Sequence, residues 1–135
     1  MPTLYEVCYL ALQCTGGDVL SSSQMLKGIL EGCILAIISE KEVYGYEMTE
    51  ILAQHGLNMV SEGSIYPILL KLQKQGDVTS EMRSSQEGPK RKYYQITGKG
   101  RERLYNFHND WMVLSRSVNQ LMRQIYKGDE DYEGK

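Results

Sequence analysis

The feature of this 135-residue chain that most constrains its fold is a long apolar repeat near the C-terminus. Seven apolar side chains recur there at alternating intervals of three and four residues: Leu104, Phe107, Trp111, Leu114, Val118, Leu121 and Ile125. This spacing is the a/d pattern of a coiled-coil seam, held for about three heptads. Because one helix cannot cover such a seam alone, the seven residues are predicted to form a dimer interface. Packing against the helix's own domain is the alternative.

Three shorter helices are predicted ahead of this seam, over residues 25–39, 44–54 and 61–75. The first is apolar on nearly all sides, which predicts a helix that is buried all round. In the other two, apolar residues share one face at helical spacing, and a glycine lies just beyond the end of each. These two segments therefore have the pattern of amphipathic helices packed on a common core.

A β-hairpin is predicted after the third helix. Apolar and polar side chains alternate from Val78 to Met82 and again from Tyr94 to Ile96, which is the period of half-buried strands. Gly88 and Pro89 lie in the polar stretch between them and are expected to form the turn. The predicted fold class is therefore mostly α with a small β-hairpin: a winged helix-turn-helix followed by a long C-terminal dimerisation helix.

Four parts of the chain can be distinguished. Residues 1–24 form an N-terminal extension that carries the apolar spacing of a short helix, and the serine run at residues 21–23 predicts a linker. Residues 25–97 are expected to form the winged helix-turn-helix domain and residues 98–127 the dimerisation helix. Residues 128–135 are an acidic tail, which is expected to be solvated.

Charge is distributed unevenly along the chain. The net charge of −2 by itself disfavours a nucleic-acid partner. Between Lys71 and Arg103, however, nine basic residues stand against four acidic ones, which leaves this segment at +5. Because the distribution of charge decides binding to a polyanion more than the sum does, this segment remains a candidate nucleic-acid surface.

Several classes of protein are disfavoured. Cys8, Cys14 and Cys33 have neither disulfide-framework nor C-x-x-C spacing, and His55 and His108 are far from them, so reduced thiols, no metal and no cofactor are expected. No apolar run approaches the ~18 residues of a membrane span, and no basic region precedes an apolar segment as in a secretory signal, which predicts a cytoplasmic protein. The sequence shows no nucleophile–base pair and no phosphate-binding glycine loop, so an enzyme is not expected.

The third helix and the hairpin carry residue types that suit DNA. In a helix-turn-helix the second helix of the pair enters the major groove. On that helix the residues predicted to lie opposite the core stripe are Ser64, Pro67, Lys71 and Lys74. Hydroxyls there can contact base edges or phosphates, and the lysines can neutralise phosphates. The wing adds the basic run Lys90–Lys92. The predicted DNA contacts are Tyr44, Tyr46, Ser61, Ser64, Tyr66, Pro67, Lys71, Lys74, Lys90, Arg91, Lys92 and Tyr93.

Four motifs in sequence resemble those of the PadR family of bacterial transcriptional regulators. Residues 26–35 (LKGILEGCIL) are similar to that family's first helix, and residues 44–47 (YGYE) to the start of its second. Residues 61–69 (SEGSIYPIL) resemble its recognition-helix signature, and residues 88–97 (GPKRKYYQIT) its wing and following strand. Their common order makes the likeness more specific than any one motif, and it extends over roughly residues 25–125.

The resemblance implies a homodimer held by the long C-terminal helix, paired recognition helices on operator DNA, and repression of nearby promoters. In some family members repression is relieved by a small, often aromatic, molecule. The single C-terminal helix resembles the family's compact branch. Residues 1–24 have no counterpart in the family pattern, and Asp77 stands where the family usually has an apolar residue, so looser packing is expected there.

Trp111, the only tryptophan, lies on the predicted dimerisation helix. It is interpreted as an interface anchor, since aromatic residues dominate such interfaces. The alternative is an effector site in which two symmetry-related indoles hold a planar molecule, with Phe107 and Met112 nearby. The predicted function is a sequence-specific DNA-binding regulator, a repressor relieved by a small aromatic effector. The alternative function is a winged-helix protein–protein interaction module that does not bind DNA.

Overall fold

The computed structural model describes residues 18–85 and 88–127. Seven elements lie within these ranges: α1 (Asp18–Glu40), β1 (Val43–Tyr44), α2 (Gly45–Gln54), α3 (Glu62–Lys74), β2 (Val78–Ser85), β3 (Gly88–Ile96) and α4 (Gly98–Ile125). Three helices precede a hairpin, and a long helix follows it. The predicted winged helix-turn-helix with a long C-terminal helix is therefore confirmed.

The sheet has three antiparallel strands in the order β1-β3-β2. Val43 of β1 pairs with Tyr94, and Val78 of β2 pairs with Ile96. The sequence analysis missed β1, because a strand of two residues is too short to show a period. Gly88 pairs with Ser85, so the prediction that Gly88 and Pro89 form the turn is wrong. Proline is tolerated at the first residues of a strand, and β3 begins with this pair.

The hydrophobic core lies between α1, α2, α3 and the sheet. Its buried members are Leu30, Ile34, Leu35, Ile38, Val43, Met48, Leu52, Val60, Ile65, Leu69, Leu72, Val78 and Tyr94. α1 contributes only one face to this core, since Met25 and Ala36 are exposed. The expectation that residues 25–39 are buried all round is therefore wrong within the described part of the chain, which covers only one side of them.

α1 begins at Asp18, earlier than predicted. The serines at residues 21–23 lie inside the helix, so the linker prediction is wrong. Relative to alanine, each serine lowers the stability of a helix by only roughly a few tenths of a kcal/mol. A short run of serines therefore does not end a helix. The short helix predicted before Gly16 and the acidic tail at residues 128–135 lie outside the described residues.

The end of α3 and the start of α4 meet in a hydrogen-bonded contact that we call the α3–α4 junction, formed by residues 75–77 and 97–103. Thr97 is the N-cap of α4: its Oγ1 accepts from the Gly100 amide at 3.0 Å and donates to the Gly76 carbonyl at 2.7 Å. Lys99 Nζ donates to the Gln75 carbonyl at 2.6 Å. Gly76 adopts a φ of 83°, which favours glycine and ends α3.

Asp77 lies at the centre of this junction. Its side chain is fully buried, and Arg103 Nε is 2.7 Å from its Oδ2. The distance is that of an ion pair, but the N–H is not directed as in a hydrogen bond, and neither carboxylate oxygen has a hydrogen-bond partner among the described residues. A Cβ on Gly100 would collide with the Asp77 carbonyl oxygen. Packing at Asp77 is therefore tight, contrary to the looser packing expected.

Two further observations concern the described part of the chain. No helix in it is long and apolar enough to cross a membrane. It contains no cluster of three or more histidine, cysteine or acidic side chains that could hold a metal ion. Cys33 is a free, half-buried thiol, and burial raises its pKa. The thiol is therefore protonated at neutral pH and is a poor nucleophile.

Candidate nucleic-acid interface

α3 presents one face to the core and the other to solvent. Ile65, Leu69 and Leu72 are fully buried. Ser61 occupies the N-cap position, but its hydroxyl lies 3.4 Å from the Ser64 hydroxyl and does not cap the helix. The exposed side chains of α3 are Ser64, Tyr66, Pro67, Leu70, Lys71 and Lys74.

The line that points most directly away from the core runs through Gly63, Pro67, Leu70 and Lys74, at helical spacing opposite the buried stripe. The sequence analysis placed Pro67 and Lys74 on this face but missed Gly63 and Leu70. It also placed Ser64 and Lys71 there, whereas both lie on a flank. Lys71 turns towards α1, where its Nζ is 2.7 Å from Glu31 Oε2.

Tyr66 occupies the opposite flank of α3, beside the start of α2. Its hydroxyl donates to Glu62 Oε2 at 3.1 Å, and its ring lies 2.9 Å from where a Cβ on Gly45 would be. A side chain at position 45 would therefore displace the Tyr66 ring. Burial and then Glu62 raise the pKa of Tyr66, so the phenol remains a hydrogen-bond donor at neutral pH.

Cations and aromatic rings alternate at the base of the wing. The Arg91 guanidinium lies 4.4 Å from the ring centroid of Tyr44, and the rings of Tyr44 and Tyr93 meet edge to face at 5.4 Å. Arg83 lies 5.0 Å from the Tyr93 ring on the far side and forms an ion pair with Glu42. Such stacking restricts the rotamers of Arg91 and fixes the direction of the wing's cations.

A cleft of about 420 Å³ separates the wing from the helix pair. Its lining residues are Tyr44, Gly45, Tyr46, Tyr66, Lys90, Arg91, Lys92 and Tyr94. Lys90, Arg91 and Lys92 can neutralise a phosphodiester in this cleft, whereas the Tyr66 hydroxyl already donates to Glu62. The structure thus brings together six of the predicted DNA contacts, adds Tyr94, and places Tyr93 behind Tyr44, outside the cleft lining.

The apolar seam of α4 divides into two parts. Leu104 packs partly against the core, and Phe107 lies directly against Gly32 of α1, so the alternative of packing on the chain's own domain holds for these two. The remaining members are about half exposed: Trp111, Leu114, Val118, Leu121 and Ile125. Beyond Phe107 the seam therefore has no cover within the described chain.

The predicted effector residues do not form a pocket within one protomer. Phe107 is turned towards α1, and Met112 lies about 100° around the helix from Trp111. Trp111 and Met112 are 43% and 45% exposed, respectively. An enclosed site at Trp111 therefore requires residues other than those that the structure describes in this chain.

Comparison with known proteins places this architecture in a family. The profile of the Transcriptional regulator PadR-like family matches residues 34–106. A crystal structure of a PadR-like transcriptional regulator from Bacillus cereus is similar at 55% sequence identity and a TM-score of 0.68, covering 75% of this chain and 98% of that one. A Streptococcus transcriptional regulator is similar at 42% identity and a TM-score of 0.66, covering 73% and 97%.

A curated transcriptional regulator from Mycobacterium tuberculosis is 32% identical over 101 residues, which are 75% of this chain and 86% of that protein. The matches span the helix-turn-helix, the wing and the start of α4, where the cleft and the α3–α4 junction lie. The chain therefore belongs to the PadR-like family of transcriptional regulators.

Proposed function

We propose that this regulator is a homodimeric, sequence-specific DNA-binding repressor whose recognition helix is α3. The observation that carries the proposal is the cleft that Lys90, Arg91 and Lys92 of the wing line together with Tyr46 and Tyr66. A DNA backbone that follows the wing would pass this cleft while α3 lies in the adjacent major groove. The PadR-like regulators to which the chain is similar support this assignment.

The local electrostatics favour DNA over a protein partner at this face. Among the described residues, no acidic side chain forms an ion pair with Lys74, Lys90, Arg91 or Lys92, although the whole chain has a net charge of −2. Unpaired cations around a grooved surface release counterions when they contact phosphates, and this term dominates non-specific affinity for DNA.

The uncovered seam of α4 supports a dimer. Trp111, Leu114 and Val118 begin a stripe of apolar side chains that water would solvate poorly, and a second copy of the helix would bury it. A two-fold axis through this contact would present two copies of α3 to half-sites about one helical turn of DNA apart.

Relief of repression is proposed to occur at Trp111. In the dimer, two indoles could hold a planar aromatic molecule, with Met112 at the edge of the site. Such a ligand would weaken operator binding only if it binds the DNA-free arrangement of the dimer more tightly than the DNA-bound one. Titrating Trp111 fluorescence with planar cations and phenolic acids, in parallel with operator affinity, tests this step.

The DNA-binding proposal is tested with the promoter fragment upstream of the protein's own gene, against unrelated competitor DNA, over a series of salt concentrations. We expect specific binding whose affinity falls steeply with salt. Arg91→Ala should weaken binding and reduce the slope of log affinity against log salt by about two, one for each protomer. The matched control is Arg116→Ala, because Arg116 is exposed on α4.

A properly folded dimer that binds no DNA at low salt would contradict the proposal. It would favour the alternative of a protein–protein interaction module and direct the search to partners of the α4 seam. An Arg91→Ala variant that binds with an unchanged slope would remove the wing cleft from the interface, even if the protein still bound DNA.

A further inference from the structure

From Gly63 to Leu70 the outward line of α3 is apolar, whereas a DNA-reading helix usually carries hydrogen-bonding side chains there. Gly63 and Pro67 offer no side-chain donor or acceptor, and Leu70 is 53% exposed. The neighbouring polar groups are engaged within the protein. The Ser64 hydroxyl lies beside that of Ser61, and the Lys71 ammonium is paired with Glu31.

Base pairs present both polar and apolar groups in the major groove. Guanine is read by arginine or lysine and adenine by asparagine or glutamine, through pairs of hydrogen bonds. Thymine alone among the four bases displays a methyl group there, at C5, and apolar side chains contact it. A leucine side chain between a proline and a lysine can therefore discriminate thymine without making a hydrogen bond.

We propose that Leu70, with Pro67 beside it, determines operator specificity by contacting the 5-methyl group of a thymine in each half-site. This inference rests on the proposed function. It adds the chemical group that is recognised and a residue that reads it. In a homodimer the two copies of Leu70 would read thymines at positions related by the operator's two-fold symmetry.

The charges around Leu70 argue for DNA as its partner. A single exposed leucine is ordinary on a protein surface. This one is followed by the exposed Lys74 on the same line of α3, and the wing cations Lys90 and Arg91 line a cleft together with Tyr66 of α3. An apolar contact bordered by cations matches a groove whose floor carries methyl groups and whose edges carry phosphates.

The test replaces each thymine of the operator in turn by deoxyuridine, which keeps the base pair and removes only the methyl group. We expect one thymine in each half-site to be sensitive, with a loss of about fourfold in affinity for each methyl removed. Deoxyuridine outside the protected sequence is the control for the DNA. 5-Methylcytosine substitutions elsewhere in the site report whether an added methyl is tolerated.

Leu70→Ala and Leu70→Met provide the protein side of the test. Leu70→Ala should bind thymine and deoxyuridine operators equally, and Leu70→Met, which keeps an apolar side chain of similar reach, should retain the preference for thymine. A merely structural role of Leu70 would lower the affinity for both operators and leave their ratio unchanged. That outcome overturns the inference.

The two proposals fail separately. Specific operator binding that is indifferent to every deoxyuridine substitution removes the methyl contact and leaves the DNA-binding function intact. Absence of specific DNA binding by the wild-type dimer removes both.

Discussion

Lys71 and Lys74 are the two lysines of α3, three residues apart, and their surroundings differ. Lys74 is exposed on the outward line, whereas Lys71 forms an ion pair with Glu31 of α1. The Lys71 side chain is 56% exposed, so the pair is solvated and worth only about 0.2–1 kcal/mol. Glu31 therefore restrains Lys71 weakly and competes with a DNA phosphate for it.

Glu31→Gln is expected to raise operator affinity by roughly twofold to fivefold, because Lys71 no longer has to leave a carboxylate to reach a phosphate. Fluorescence anisotropy with a labelled operator measures this change. Glu40→Gln is the control, since it removes an exposed charge from the same helix. Equal gains in the two variants would show a general charge effect, and the gain from Glu31→Gln should disappear when Lys71→Ala is added.

The Asp77–Arg103 pair is asymmetric in burial. Asp77 is inaccessible to solvent, whereas the Arg103 side chain is 44% exposed. Removing the arginine would leave a buried carboxylate without a partner, whereas removing the carboxylate charge would leave a guanidinium that can reach water.

Arg103→Ala is accordingly expected to lower the free energy of unfolding by about 2 kcal/mol more than Asp77→Asn does. Urea unfolding at a fixed protein concentration measures both, because dimerisation makes stability depend on concentration. The double variant should be more stable than the sum of the single effects predicts. Equal losses of unfolding free energy in the two single variants would contradict the expectation that a buried carboxylate without a partner destabilises the fold.

α4 is the element whose two ends have different surroundings. Its first turns pack on the protein's own core through Leu104 and Phe107, while Val118 and its neighbours on the seam are exposed. Val113 is also exposed, at 63%, but lies well around the helix from the seam. The two valines therefore form a matched pair for testing which face of α4 forms the dimer.

Val118→Glu is expected to weaken the dimer by about 100-fold, because it would bury two like charges near the symmetry axis. Val113→Glu should leave the dimer unchanged. Sedimentation equilibrium measures the dissociation constant, and far-UV circular dichroism confirms that each variant is helical. If Val113→Glu dissociates the dimer and Val118→Glu does not, the interface lies on another face of α4.

The elements that could be predicted from the sequence are those whose apolar pattern repeats over many residues. The seam of α4 spans 22 residues from Leu104 to Ile125 and is visible in the sequence. β1 is not, because its two residues depend on pairing with β3, a contact made across 51 residues of chain between Val43 and Tyr94. The early start of α1 could not be predicted, because a run of serines is typical of a linker, whereas here the helix continues through it.

The positions of the candidate DNA contacts follow from the sequence where local motifs fix the geometry, and not where long-range packing does. The wing cations lie on the hairpin and Tyr66 on the flank of α3, as the local patterns predict, and the structure adds that they line one cleft. Lys71 could not be assigned from sequence, because its partner Glu31 is 40 residues away. Leu70 resembled a core residue by chemistry, and only its exposure shows otherwise.

At the scale of the whole molecule, the α3–α4 junction connects the proposed recognition helix, α3, to the proposed dimerisation helix, α4. Hydrogen bonds from Thr97 and Lys99 hold the residues that directly follow α3, and Gly100 packs against Asp77. The spacing of the two recognition helices in a dimer would then follow from how the two α4 helices cross. A dimer built on this junction should therefore tolerate little change in the distance between the two DNA half-sites.

Inserting half a helical turn of DNA between the half-sites is expected to reduce operator affinity to that of one half-site. A full-turn insertion returns the two half-sites to the same face of the DNA but leaves them farther apart. A rigid dimer should therefore fail to bind both half-sites there as well. Gel-shift titrations with the two insertions measure this. Full affinity for the operator with the full-turn insertion would show that the junction bends and would contradict a rigid dimer.

The junction also bears on how such a regulator can diverge. Its acceptors on the α3 side are main-chain carbonyls, those of Gln75, Gly76 and Asp77, which every amino-acid sequence supplies. Substitutions along the outward line of α3, Leu70 included, leave those carbonyls in place. Duplicated copies of the gene can therefore acquire new operators while keeping the same scaffold. The residues proposed to determine operator specificity are separate from the main-chain atoms that hold α3 and α4 together.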